Sequence, residues 1–287
     1  MKVRTTTFLT VIIAALVFAA GTAEAEYGRT SPTSIDPSLL RIDEAEYLGA
    51  PVKTDYLLVD GLNREFTLST MLGKPLVLLL SYFDCDGACP TVNRDLKDML
   101  SNMEKRTPGE DFSVLTLSFD KKDDPSSVRM FEEMVMDGGG GGGGGGGSWI
   151  DRKEGWKVAV MKDSADIETL AGSVGFKFFW SPRDRVFVHP SVFIVLSPEG
   201  RVVRYLYSSQ TEAKDLEVAV AEAAFGTPGR SKTKDLSDLL MIACYSYNYK
   251  EGKYTLNYPL FIGAGSLVIG LSCIVFSLTL YRKKARR

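Results

Sequence analysis

The feature that most constrains this chain is an apolar run, Pro75 to Leu80. It passes into Ser81-Tyr82-Phe83-Asp84-Cys85-Asp86-Gly87-Ala88-Cys89-Pro90 and then into Thr91 to Met103. The run reads as a buried strand and the last stretch as a helix, with Pro90 suited to the first helical position. Two cysteines four positions apart therefore sit where a strand hands over to a helix. If that turn is helical, a rise of about 1.5 Å per residue puts their Cα atoms about 6 Å apart. That spacing suits a disulfide or two thiolates on one metal ion. Unpaired N–H groups and the positive dipole end at a helix start favour thiolate over thiol. A disulfide closing so short a loop would stabilise the chain little. A reactive or metal-binding pair is the expected use.

Strands and helices alternate around this motif. Leu57 to Phe66 reads as a hairpin centred on Asp60-Gly61 and Asn63-Arg64, and Phe112 to Ser118 as a strand. Asp124-Pro125 caps a helix running to Met136. Trp156 to Met161 is a strand, and the helix after Asp163 stops at Gly175. Ser191 to Leu196 and Arg201 to Tyr207 form a hairpin across Ser197-Pro198-Glu199-Gly200, followed by a helix over Thr211 to Ala224. Crossovers followed by a closing antiparallel pair, with a thiol motif at the first strand-to-helix turn, predict a thioredoxin-like α/β fold. Its central mixed sheet would carry flanking helices. Such open sheets gather ligands at the carboxyl ends of their strands, where Cys85 and Cys89 lie. The domain is expected over residues 45–225. The ten glycines Gly138 to Gly147 form a disordered surface loop within it.

The two ends of the chain set its location. Lys2 and Arg4, the apolar core Phe8 to Ala20 and the small-x-small pattern Ala23-Glu24-Ala25 read as a signal peptide over residues 1–25. Residues 26–44 are a flexible lead-in, and 226–257 a linker and amphipathic juxtamembrane segment. Residues 258–281 are long and apolar enough for one transmembrane helix, bracketed by Tyr254, Tyr258 and Tyr281. The basic tail Arg282 to Arg287 stays in the cytoplasm by the positive-inside rule, which puts the body in the periplasm or on the extracytoplasmic side. The net charge of −2 is uneven: residues 1–25 carry +1 and Arg282 to Arg287 carry +5, leaving −8 on 26–257. So acidic a body, without a basic stripe, argues against a nucleic-acid partner.

His189 is the only histidine, which excludes zinc sites built on histidine pairs. It precedes the strand Ser191 to Leu196, in the loop that a thioredoxin-like fold brings beside the cysteine helix, and Pro190 follows it. Two thiolates and an imidazole suit copper, as Cu+ or Cu2+, better than the four-ligand cage usual for zinc. Cys273, inside the apolar span, reads as a small hydrophobe. Cys244 reads as juxtamembrane packing, with a third-thiol role open.

At these residues the chain resembles the SCO/SenC copper-chaperone family. The resemblance rests on Cys85-Asp86-Gly87-Ala88-Cys89-Pro90, on Leu117-Ser118-Phe119-Asp120 before Asp124-Pro125, and on Val188-His189-Pro190-Ser191 running on to Tyr207. It covers roughly residues 45–225. Cys244 to Tyr247, Gly252-Lys253-Tyr254 and the span are similar to tails of some bacterial members. The resemblance implies a copper-binding metallochaperone anchored in the bacterial inner membrane, with Cys85, Cys89 and His189 as ligands. Its partners would be cytochrome c oxidase subunit II, which takes the copper into its dinuclear centre, and a copper donor protein. The alternative is an enzyme, a thiol–disulfide oxidoreductase using Cys85 and Cys89 to reduce the acceptor's cysteines; a redox- or copper-responsive signalling protein is a third reading. Asp120 is either an outer acceptor near the site or an ordinary turn aspartate.

Overall fold

A computed structural model describes residues 41–84, 88–137, 155–183, 185–225, 242–248 and 253–285. The signal segment, Cys85, the glycine run and most of the linker lie outside the described residues. The strands are β1 (Leu57–Asp60), β2 (Glu65–Thr67), β3 (Leu76–Ser81), β4 (Ser113–Ser118), β5 (Trp156–Met161), β6 (Phe179–Ser181), β7 (Val186–Val188), β8 (Val192–Leu196), β9 (Val202–Tyr207), β10 (Tyr245–Asn248) and β11 (Lys253–Leu256). The helices are α1 (Glu44–Tyr47), α2 (Ala88–Ser101), α3 (Pro125–Glu132), α4 (Asp166–Ser173), α5 (Ala213–Phe225) and α6 (Tyr258–Ala285).

Seven strands form one mixed sheet in the order β2-β1-β5-β4-β3-β8-β9. β3, β4 and β5 run parallel, whereas β8 lies antiparallel to β3 and β9 to β8. β3 is buried along its whole length, as a strand covered on both faces requires. Its alternate residues divide between two cores. Leu76, Leu78 and Leu80 pack with Ile167, Leu170 and Val174 around α4. Val77 and Leu79 pack with Leu96 of α2 and Leu216 and Ala219 of α5. On that second face α3 covers the β1–β5 edge through Val128 and Phe131. This is the thioredoxin-like α/β architecture expected from the element order.

Local signals explain most boundaries. The Asp124 carboxylate accepts from the Ser126 and Ser127 backbone N–H groups and starts α3 with a capping box. α3 gives way at Glu133 to a short π-helical stretch, Glu133–Asp137. Gly175 ends the α4 segment at φ +68°, and a side chain there would meet the Tyr47 ring at 2.7 Å. One boundary differs from expectation. α2 begins at Ala88, so Pro90 is its third residue and not its first. First-turn N–H groups have no intrahelical acceptor, so a proline is tolerated there too.

The stretch before α6 carries structure beyond a simple lead-in. β10 and β11 pair as a hairpin that docks on β9 and α5. The Tyr247 hydroxyl donates to the Tyr205 carbonyl, and that of Tyr254 to Glu222, which also pairs with Arg204. The Tyr254 N–H donates to Asp215 at 3.1 Å. α6 follows directly, and Tyr258–Phe276 is long and apolar enough to cross a bilayer.

Candidate metal centre

The site is built at the carboxyl end of β3, and three segments meet there. β3 leaves the sheet through Tyr82 and Phe83 into the cysteine turn, and α2 starts beyond it. β4 ends beside it, in the loop Phe119 to Asp124. β8 runs antiparallel to β3 with Phe193 opposite Leu79, so the loop entering β8 returns to the same end and carries His189 there. Pairing, and not sequence proximity, brings the lone histidine to the carboxyl end of β3, beside Tyr82.

His189 is half-buried in aromatic packing. Its ring lies 5.0 Å from Phe119, 5.9 Å from Phe176 and 6.0 Å from Tyr82, three residues before Cys85. Its Nδ1 is 3.0 Å from the Pro190 carbonyl oxygen. A carbonyl only accepts, so Nδ1 carries a proton and donates to it. A backbone carbonyl holding one ring nitrogen fixes the orientation of the imidazole.

Asp123 holds the near side of the turn. Its carboxylate accepts from the Phe83 N–H at 2.8 Å and the Ser118 hydroxyl at 2.5 Å. Burial pushes its pKa above the usual carboxylate range. The two donors oppose the shift, and Asp120 and Asp84 nearby add to it. Asp120 acts as a turn residue, its carboxylate accepting from the Lys122 N–H at 3.0 Å.

α2 is fixed by a buried polar chain. The Thr116 hydroxyl donates to the Asn93 carbonyl at 2.9 Å and accepts from the Trp156 indole at 3.1 Å. The Asn93 amide donates to Ser81 at 3.4 Å. One asparagine on the helix thus ties the cysteine helix to β3, β4 and β5.

A family model described as SCO1/SenC matches residues 44–224, and that stretch contains every element named so far at this end of the sheet. The chain belongs to the SCO1/SenC family. Among solved structures it is similar to a protein from Aquifex aeolicus VF5 assigned to electron transfer. That match has 31% identity and a TM-score of 0.53, and covers 66% of this chain and 99% of the other. A second Aquifex aeolicus VF5 protein, assigned to electron transport, matches at 32% identity and TM-score 0.50 over 61% of this chain and 98% of its own. Copper-bound yeast Sco1 is more distant, at 18% identity and TM-score 0.47 over 68% and 98%. No curated protein matches the chain.

The expected ligands of this SCO1/SenC protein stand as follows. His189 is at the site end, and the Cys89 backbone lies in the first turn of α2. Cys85 and the Cys89 side chain are outside the described residues. Among the described residues no three His, Cys, Asp or Glu side chains converge as a metal cage. Cys244 is half-buried and Cys273 exposed on α6, both as free thiols. Asp123 and Asn93 carried no sequence signal, because an aspartate in a loop and an asparagine in a helix are ordinary until their burial is known.

Proposed function

We propose that this chain is an exported, membrane-anchored copper chaperone. It would hold copper through Cys85, Cys89 and His189 and load the dinuclear centre of cytochrome c oxidase subunit II. The observation that carries the reading is the position of His189, the chain's only imidazole. It sits at the carboxyl end of β3 beside Tyr82, with Nδ1 donating to the Pro190 carbonyl. Family membership and the two-cysteine turn supply the rest.

The copper is cargo, and the chain's residues act on it in order. The dithiol must be reduced and lose its protons before it binds a soft ion. Cys89 in the first turn of α2 gains thiolate character from the helix start. The imidazole closes the set from the β7–β8 loop, and Phe119 and Phe176 against the ring restrict its rotation. A three-ligand set leaves a position open, so acceptor thiolates can enter before the donor ligands leave. Residues 1–25 would be removed on export. α6 then anchors the domain, with the basic tail on the cytoplasmic side.

The same cysteine turn also suits a thiol–disulfide reductase serving the acceptor's cysteines. His189 separates the two readings. Copper titration of the reduced full-length protein should give one ion per chain. His189→Ala should weaken affinity about 10–100-fold while leaving disulfide exchange intact. Cys85→Ser and Cys89→Ser should lose both. Unchanged affinity and stoichiometry in His189→Ala would contradict the chaperone reading.

A further inference from the structure

The ribbon β6–β7, which ends directly at His189, lies outside the main sheet and touches the first core through Phe187. Its two strands pair only with each other, Phe179 with Val188 and Trp180 with Phe187, apart from the seven-stranded sheet. An isolated two-stranded hairpin is marginal in water. Phe187 ties it down, its ring 5.2 Å from Tyr82 and 5.5 Å from Phe119 in the aromatic packing around His189.

The ribbon exposes what folding would otherwise hide. Phe179 is 42% and Trp180 47% exposed, the two on opposite faces of the same strand. Three cations accompany them: Lys177 before the ribbon, and Arg183 and Arg185 in its turn, all exposed and, among the described residues, none in an ion pair. Over residues 177–189 the only acid is Asp184, against a body that is otherwise strongly acidic. Arg185 also holds φ +56°, a conformation glycine or asparagine adopts with less strain. Apolar rings exposed beside a cluster of exposed cations mark a surface built for a partner.

From this juxtaposition we infer that the β6–β7 ribbon is the docking element for the copper acceptor. It recognises an acidic, partly apolar face of that protein next to the acceptor's metal site. The inference rests on the chaperone reading: an acceptor that takes copper from His189 must approach the residues adjoining it, and the ribbon is that rim. Opposite charges steer the encounter, and Phe179 and Trp180 supply the contact that holds it.

The test follows copper transfer from the loaded full-length protein, in nanodiscs of neutral lipid, to the copper-free soluble domain of a cytochrome c oxidase subunit II. Arg183→Glu/Arg185→Glu should raise the half-saturating acceptor concentration at least tenfold. It should also abolish the fall in wild-type transfer between about 0.01 M and about 0.15 M ionic strength. Phe179→Ser should raise the half-saturating concentration at either ionic strength. The limiting transfer rate and the copper stoichiometry should stay at wild-type values in all variants. Normal wild-type transfer with unchanged half-saturation in the variants overturns the docking role alone. Failure of the wild type to bind or pass copper overturns the functional reading, and the docking role falls with it. Binding to phosphatidylglycerol vesicles, or self-association, that the charge reversal removes while acceptor saturation is unaffected would assign the ribbon to a membrane or a second copy, and would likewise overturn the inference.

Discussion

Asn93→Ala tests how the cysteine helix is held. Asn93 and Thr116 are fully buried, so neither can replace a lost partner with water. Removing the amide leaves the Thr116 hydroxyl without the acceptor it reaches at 2.9 Å and removes the 3.4 Å contact to Ser81. An unmade buried donor costs about 1–3 kcal/mol, and the partly collapsed cavity adds about 1 kcal/mol. The expected loss is therefore about 2–4 kcal/mol, read by urea unfolding of the full-length protein in detergent with far-ultraviolet circular dichroism. Thr116→Val deletes the other end of the contact. The double variant should be more stable than the sum of the single losses predicts by about 1–2 kcal/mol. A loss below about 0.5 kcal/mol, or additivity within that margin, would refute the claim that this chain of hydrogen bonds anchors α2.

Four further outcomes follow from the structure. Burial pushes the Glu44 carboxyl up to about 7, against the opposing influence of the nearby Tyr247, Arg41 and Arg204. A folded-state pKa above the ordinary value of 4.5 gives stability that is present at low pH and lost as pH rises through about 7. Glu44→Gln should flatten the fall in unfolding midpoint across that window; an unchanged slope would contradict the assignment. Gly175→Ala places a Cβ 2.7 Å from the Tyr47 ring in a left-handed backbone and should cost about 2–4 kcal/mol. Gly172→Ala, within α4 and with open space around it, should stabilise by about 0.5–1 kcal/mol in the same unfolding assay. The full chain should stay with membranes through alkaline carbonate extraction, and a chain ended at Asn257 should be released; full-chain release would refute α6 as the anchor.

The fold was legible where periodicity and punctuation were strong. Leu76 to Leu80 could only be a strand covered on both faces, Asp124-Pro125 announced a capped helix, and Gly200 marked the turn between β8 and β9. The return of the His189 loop to the carboxyl end of β3 could be anticipated from the fold class, because antiparallel pairing of β8 with β3 fixes which loop comes back to that end. The supporting residues were not legible. Asn93 and Asp123 gain their roles from burial, which local sequence does not encode. The β10–β11 hairpin was missed because its tyrosines make tertiary contacts to Tyr205 and Glu222, and tertiary partners decide short strands more than propensity does. β6 was hidden for the same reason: three residues are too few to show a period.

X-ray absorption at the copper edge of the Cu+-loaded full-length protein tests the central claim most directly. The account predicts a shell of two sulfurs and one nitrogen on one copper per chain. The nitrogen should vanish in His189→Ala, and one sulfur should vanish in Cys85→Ser or Cys89→Ser. A sulfur-only shell in the wild type, or a nitrogen that survives His189→Ala, would contradict it.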